Sequence, residues 1–324
     1  MAWYVQSWPG GLDPVAAAAE VTATAREVAP DVTISIHALG DGGPRTAHVW
    51  ATAQREHVGG ADVVRRNGAA WLMPALAATR WDPVGLSTAL IGLAADAAEG
   101  DRVVVAVGDI PPAGDAAALW GPSVEALRHA LKPLDILALV TAERPLLGFH
   151  GMSAALLEGR EGDPALASAA QAQEERWTRL AQHADAVAAV PTLMGPARAS
   201  DVPGTGAAGG LAYALHVAGA RLVPAFPVLV GETERGDVEN GNGAEIAVVV
   251  TEALTPRTVD HGLATAVSAH VASRGIPTVT LSETLHVGKR DLMAAGVAAA
   301  HTSAAGAEGL REGVRRVIQT WART

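Results

Sequence analysis

Two short segments of this sequence have residue types and spacing suited to charged or hydroxyl-bearing small molecules. The first is Asp41-Gly42-Gly43. A carboxylate followed by two glycines can reach a metal ion or a substrate hydroxyl, and the bare backbone lets a ligand approach closely. The same Asp-Gly pair also suits an ordinary turn. The second segment is Pro203-Gly204-Thr205-Gly206-Ala207-Ala208-Gly209-Gly210-Leu211, which leads into a helical run. Its backbone N–H groups could form an anion cradle at a helix N-terminus, although glycines before a helix also serve close packing. No Lys-Ser or Lys-Thr pair follows, so this is not a Walker loop, and the strand and acidic residue of a dinucleotide fingerprint are not evident.

Other chemistries find little support. The 11 histidines are dispersed, with no pair at metal-ligand spacing. No Gly-x-Ser-x-Gly elbow occurs to support a hydrolase triad. The absence of cysteine excludes disulfides and thiolate chemistry and leads us to expect a reducing cytoplasm. A formal net charge of -10 with scattered arginines leaves no basic stripe for a nucleic acid backbone. Met1 to Leu12 has neither the basic start nor the apolar run of a signal or membrane segment, so no membrane partner is expected. The eight tryptophans are spread along the chain, as packing residues would be.

These segments must be held by a scaffold of some size. A chain of 324 residues, 49% hydrophobic and 18% charged, suits two α/β domains with buried parallel strands and alanine-rich helices. Trp3 to Ser7 reads as a strand, and Asp13-Pro14 starts a helix from Val15 to about Val28. Val32 to His37 alternates as a second strand, completing a βαβ unit that ends just before Asp41. Near the other end, 245–251, 277–281 and 297–302 are strand-like, with helices beginning near Thr258 and Lys289. Together these predict a five-stranded, flavodoxin-like parallel sheet built from 1–46 plus 236–324, with 47–235 as an inserted mixed α/β domain. Within the insert, Asn67-Gly68 between 62–66 and 69–73 predicts a tight hairpin. Further strands are expected at 102–107 and 135–140, and helices near Ala113 and from about Pro164 to His183. Segment 231–243, rich in Glu, Asp, Asn and Gly, reads as an exposed loop.

The order of these landmarks resembles the bacterial glycerate kinase family, whose members phosphorylate glycerate with ATP and magnesium on a two-domain α/β fold of this kind. The family's Pro-Gly-Ala-Gly-Ala-Ala-Gly-Gly-Leu motif is reproduced at 203–211 with one change, Thr205. Its Ala-Asp-Gly-Gly-Glu-Gly-Thr motif is matched by Gly40-Asp41-Gly42-Gly43-Pro44-Arg45-Thr46, and its Asp-Ser-Phe-Lys-Gly-Ser-Leu loop by Gln6 to Leu12. An Asn-Pro-Leu motif appears as Arg144-Pro145-Leu146, followed by Gly148 and Gly151. A later Gly-Glu-Gly-Arg strand with a Gly-Lys pair aligns with Thr251-Glu252-Ala253-Leu254 and Gly262-Leu263. The resemblance implies Asp41 and Glu252 as catalytic residues. It implies phosphate or substrate contacts at Gly42, Gly43, Arg45, Thr46, Arg144, Gly204, Thr205, Gly206, Gly209 and Gly210.

The departures fall on charged and glycine positions. The first-loop lysine is Pro9, the Gly-Lys lysine is Leu263, and a third family lysine aligns near Glu161; Lys132 and Lys289 are the only lysines in the chain. A Gly-Gly-Ser-Ala-Thr-Asn-Asp-Gly-Gly loop is replaced by Gly108-Asp109-Ile110-Pro111-Pro112-Ala113-Gly114-Asp115, whose prolines lack backbone donors. Phosphoryl transfer needs placed cations, so activity is expected to be lost or strongly reduced. Arg45, Arg144, Arg160 and Arg257 lie at or beside the altered motifs, but arginine is not a neutral swap for lysine. The expected ligands are a small anionic metabolite or a nucleotide, with ATP and Mg as cofactors if the chain is active. An active kinase with an altered acceptor, and a non-catalytic scaffold or regulatory subunit with a protein partner or a homo-oligomer, are the alternative readings.

Overall fold

The structure, a computed structural model, describes residues 1–157, 162–188, 198–234 and 244–322. The chain forms two compact units, one of Met1–Asp41 with Phe226–Thr324 and the other of Gly42–Ala225.

The first unit opens with β1 (Ala2–Val5), α1 (Pro14–Val28) and β2 (Ser35–Ala38). The Asp13 carboxylate accepts hydrogen bonds from the Val15 and Ala16 N–H groups, and Pro14 occupies the first turn, where its missing donor costs nothing. β1 and β2 pair in parallel, Ala2 opposite Ser35.

The second unit runs α2 (Thr46–Val49), β3 (Glu56–Val58), β4 (Ala61–Arg66), β5 (Ala69–Met73), α3 (Pro83–Ala95), β6 (Asp101–Gly108), α4 (Val124–Ala130), β7 (Leu134–Val140), α5 (Pro164–Ala188), α6 (Leu211–Val217) and β8 (Arg221–Pro224). Its six-stranded sheet has the order β3-β4-β5-β6-β7-β8. The β3-β4 and β4-β5 pairs are antiparallel and the remainder parallel. Asn67 and Gly68, at φ 48° and 75°, form the turn that joins β4 to β5, as a type I′ hairpin requires. Between Pro112 and α4 the chain makes a 3-10 turn over Ala116–Trp120, capped by Asp115, and the helix expected near Ala113 is confined to it. Trp81, Leu86, Leu90, Val105, Leu119, Trp177 and Tyr213 are all fully or nearly fully buried in this unit's core.

The chain returns to the first unit through α7 (Ala225–Glu234), then β9 (Ala247–Leu254), α8 (Pro256–His261), α9 (Leu263–Ala272), β10 (Thr278–Leu285), α10 (Lys289–Ala294), β11 (Val297–Thr302) and α11 (Gly306–Trp321). The sheet order is β11-β10-β9-β1-β2, parallel throughout, which is the five-stranded sheet expected. On one face Trp3, Val5, Val248, Val250, Val279 and Leu281 pack in a single cluster with Ala17, Val21 and Ala25 of α1 and Leu310, Val314 and Val317 of α11. Each large side chain removed from water in this way stabilises the fold by about 1.5–3 kcal/mol. Residues 231–234, read above as loop, belong to α7, and the rest of that segment lies outside the described residues. Among the described residues no helix is long and apolar enough to cross a membrane.

Candidate functional site

In each unit the parallel strands deliver their carboxyl ends, and the loops that follow, to one edge of the sheet, where α/β proteins collect their ligand-binding groups. In the first unit that edge is polar. β1 runs into Gln6 and Ser7, β9 carries Thr251 and Glu252, and β2 is followed by Gly40 and Asp41. The Ser7 hydroxyl donates to Glu252 Oε1 at 2.9 Å, the Thr251 hydroxyl donates to Gln6 Oε1 at 3.0 Å, and Gln6 Nε2 donates to the Gly40 carbonyl at 3.4 Å. These bonds tie β9, β1 and the end of β2 into one row. Asp41 and Glu252 therefore lie at the same edge, on either side of β1.

The loop after β1 has no cation. Trp8 is buried and exchanges backbone hydrogen bonds with Leu12, and the Pro9 carbonyl accepts from the Gly306 N–H at 2.7 Å. A Cβ on Gly10 would stand 2.7 Å from the Gly306 backbone. The segment that aligns with a lysine-bearing loop is thus a packed turn pinned to the start of α11. Leu263, at another aligned lysine, is the first residue of α9.

In the second unit β6 ends at Gly108 and is followed by Asp109, and the chain leaving β7 leads to Arg144. Gly43 packs on Gly108 so closely that a Cβ would meet its Cα at 3.0 Å. Thr46 begins α2 with its hydroxyl buried, and Arg45, just before it, is exposed.

The glycine-rich segment docks against the chain after β7 through backbone bonds. Gly204 N donates to the Glu143 carbonyl and Gly206 N to the Arg144 carbonyl, both at 3.0 Å. Thr205 is fully buried; its hydroxyl donates to the Val202 carbonyl at 2.7 Å and accepts from Leu146 N at 3.0 Å, so it serves the turn itself. Ala208, Gly209 and Gly210 follow in the left-handed region, at φ 51°, 63° and 87°. For alanine that conformation costs about 1–2 kcal/mol. Gly209 faces Pro111 and Pro112 of the altered loop, and Gly210 lies against the Trp177 ring.

Asp109 links these parts. One carboxylate oxygen accepts from the Ala208 N–H at 3.1 Å and from Arg144 Nη2. The Arg144 side chain is only 6% exposed. An internal carboxylate thus holds both the cation and the nearest backbone donor of the glycine-rich turn.

The sequence reading missed Asp185, which positions this turn from behind. It accepts from Ser200 N at 2.9 Å, from the Ser200 hydroxyl at 2.6 Å and from the Tyr213 hydroxyl at 2.8 Å. Burial, and then the bond to Asp185, push the Tyr213 hydroxyl well above its ordinary range. The signal was its place beside Trp177, Ala181 and Ala184, the buried stripe of α5. A carboxylate on such a stripe needs donors.

The residues expected at the site therefore fall into two groups. Asp41 and Glu252 share the edge of the first unit. Gly42, Gly43, Arg45, Thr46, Arg144, Gly204, Thr205, Gly206, Gly209 and Gly210 belong to the second. Arg160 and Glu161 lie outside the described residues. Among the described residues no group of three His, Asp or Glu side chains is suited to a metal ion. A cavity of about 510 Å³, lined in part by Arg65, Arg66, Asp96 and Arg102, lies at the opposite, amino ends of β5, β6 and β7 and contains none of these residues.

The family model described as the glycerate kinase family matches residues 84–324. A crystal structure of a protein described as "putative glycerate kinase 2" from Salmonella typhimurium LT2 superposes with a TM-score of 0.60 at 17% sequence identity, covering 98% of this chain and 97% of that one. At that identity the likeness speaks for the fold. No curated protein matches this chain.

Proposed function

The chain belongs to the glycerate kinase family, and we propose that it is a member in which ATP-dependent phosphorylation of glycerate is lost or strongly reduced, leaving a protein that binds a small anionic metabolite. The observation that carries this reading is the internal carboxylate of Asp109 on Arg144 and the Ala208 N–H. Phosphoryl transfer depends on cations and N–H donors aimed at the charge that develops on the transferred group. Here the cation and the donor already serve an anion of the protein's own. The packed turn at Pro9 and the leucine at 263 supply no lysine to compensate. Losing one such donor costs about 10²–10³ in turnover in enzymes that use them, and several are altered together.

The first unit's edge supports the binding half of the proposal. Gln6, Ser7, Thr251 and Glu252 offer hydroxyl, amide and carboxylate groups in one row, which suits the hydroxyls of a small hydroxy acid. A second reading, an active kinase with an altered acceptor, is favoured by Asp41 and Glu252 lying at that edge on either side of β1. In that case one of these carboxylates would supply the protein ligand to Mg²⁺, which commonly binds through one or two carboxylates plus the phosphates of ATP.

The test is a coupled measurement of ADP release by the purified full-length chain with Mg-ATP and D-glycerate, alongside isothermal titration of each ligand. The expected result is no release above the protein-free rate, with binding of the metabolite. Robust phosphorylation that Asp41→Asn abolishes would overturn the proposal, and tight Mg-ATP binding without glycerate turnover would favour the altered acceptor.

A further inference from the structure

Arg144 is a buried cation with too few partners. A guanidinium has five N–H donors, and in this one Nη2 bonds to Asp109 while Nε and Nη1 are buried without a hydrogen-bond partner among the described residues. The residue as a whole is 7% exposed. Leaving a buried donor unmade is costly, so orphaned donors of this kind call for a ligand, a water or an ion.

The surroundings add to this. The three consecutive left-handed residues from Ala208 to Gly210 form a tight turn that aims the Ala208 N–H at the same Asp109 carboxylate that holds Arg144. Within that turn, Ala208 N already meets a carboxylate. Asp109 arrives there from the end of β6 and is itself largely buried, its side chain 14% exposed.

We propose that Arg144 and the Ala208 N–H form an oxyanion site for a small phosphate or carboxylate group, in which the Asp109 carboxylate is the resident competitor. The proposal deepens the reading above, on which it rests for the ligand being a small anion. It makes the Asp109–Arg144 pair an autoinhibitory contact. An incoming oxyanion takes over the Ala208 N–H and the free face of the guanidinium only when Asp109 swings out or loses its charge.

The test is isothermal titration of the full-length chain and of its Asp109→Asn variant, with inorganic phosphate in one arm and D-glycerate in the other. Asparagine keeps the shape and one acceptor oxygen but removes the competing charge. The expected result is an affinity gain of about tenfold or more in at least one arm, equivalent to about 1.4 kcal/mol. Which arm gains identifies phosphate or carboxylate as the preferred group. The gain should vanish in the double variant Asp109→Asn/Arg144→Met. Equal affinities in a folded Asp109→Asn variant, or a gain that survives loss of Arg144, overturn the proposal.

If Asp109→Asn does not fold, hydrogen exchange of the unaltered chain answers the same question. Excess phosphate or D-glycerate must slow exchange across residues 204–211, and unchanged exchange with both overturns the proposal. Neither outcome bears on the phosphotransfer assay. Glycerate turnover by the unaltered chain would sink the proposed function while leaving the gain in Asp109→Asn to be judged by itself.

Discussion

Replacing Gly206 by alanine tests how the glycine-rich segment is held. Gly206 has φ −77°, so an alanine there adopts an ordinary backbone conformation and any penalty is steric. The added Cβ would stand 2.3 Å from the Pro145 carbonyl oxygen, 3.0 Å from its carbon and 3.1 Å from Arg144 Cγ. Pro145 cannot easily retreat. Its carbonyl accepts from Met152 N at 3.1 Å, and the neighbouring Arg144 carbonyl accepts from Gly206 N itself at 3.0 Å. Relief requires the two segments to part, which combines about 1–3 kcal/mol of overpacking with about 0.5–1.5 kcal/mol for a weakened hydrogen bond. The expected loss is about 1.5–4.5 kcal/mol.

The assay is urea unfolding followed by tryptophan fluorescence, with Gly114→Ala as control. Gly114 has no heavy atom within 4 Å of its built Cβ and no positive φ. Its substitution should be neutral or stabilising by up to about 1 kcal/mol through the unfolded chain. With a slope of about 2–3 kcal/mol per molar, Gly206→Ala should move the midpoint of the second unit down by about 1 M. Gly210→Ala should do at least as much. There the Cβ would press on the Trp177 ring at 2.6 Å and φ is +87°, adding about 1–2 kcal/mol of backbone strain. A Gly206→Ala midpoint indistinguishable from that of Gly114→Ala would refute the packing argument.

Three further outcomes are expected. The Tyr213 hydroxyl is raised above its ordinary value of 10.0 by burial and then by Asp185. Its contribution to stability is thus complete below that value and falls as pH rises beyond it, by about 1.4 kcal/mol per pH unit. Urea midpoints measured into the alkaline range should show this decline in the unaltered chain and a flatter profile in Tyr213→Phe. His216 is the opposite case, since burial lowers its imidazole below the ordinary 6.5 while the ring bonds to the Ala220 carbonyl. The stability it contributes is present above that value and is lost as pH falls below it, so His216→Gln should flatten the acid limb of the same profile. Glu252→Gln removes the charge beside Ser7 and should weaken metabolite binding by about tenfold, or about 1.4 kcal/mol, with little change in ligand-free melting temperature. Unchanged affinity by titration would remove that edge from the site.

Where local chemistry decides the structure, the elements could be read from the sequence. Asp13-Pro14 starts α1, Asn67-Gly68 turns the β4-β5 hairpin, and the apolar run 297–302 is β11. β3 and β8 escaped because their own residues define them poorly. Glu56-His57-Val58 is mostly exposed with no alternation, and Arg221–Pro224 is four residues ending in proline. Each is a strand through its pairing: β3 folds back on β4 through Gly59-Gly60, a two-residue hairpin turn that the reading passed over, whereas β8 pairs with β7, Arg221 opposite Leu137, across a distance no short window spans. The site divided in the same way. Asp41 announced itself through its glycines, whereas Asp109 and Asp185 acquire their roles from partners far along the chain, such as Ala208 for the first and Tyr213 for the second.

The glycines that carry the resemblance and the charges that depart from it answer to different physical demands. Gly10 abuts Gly306, Gly43 abuts Gly108, and Gly206 abuts Pro145, in each case so closely that a Cβ would meet main-chain atoms at 3.0 Å or less. Such positions are fixed by backbone approach, which the fold needs whether or not a substrate ever binds. A lysine in the first loop or before α9 has no comparable structural duty, and Pro9 and Leu263 stand there without disturbing β1 or α9. Matched glycines therefore argue for the fold and say little about turnover. The chemistry has to be judged from side chains whose placement only a ligand would explain. Arg144, buried with two of its three guanidinium nitrogens unmet and the third held by Asp109, is the clearest of these, which is why the activity question turns on that ion pair rather than on the motif around it.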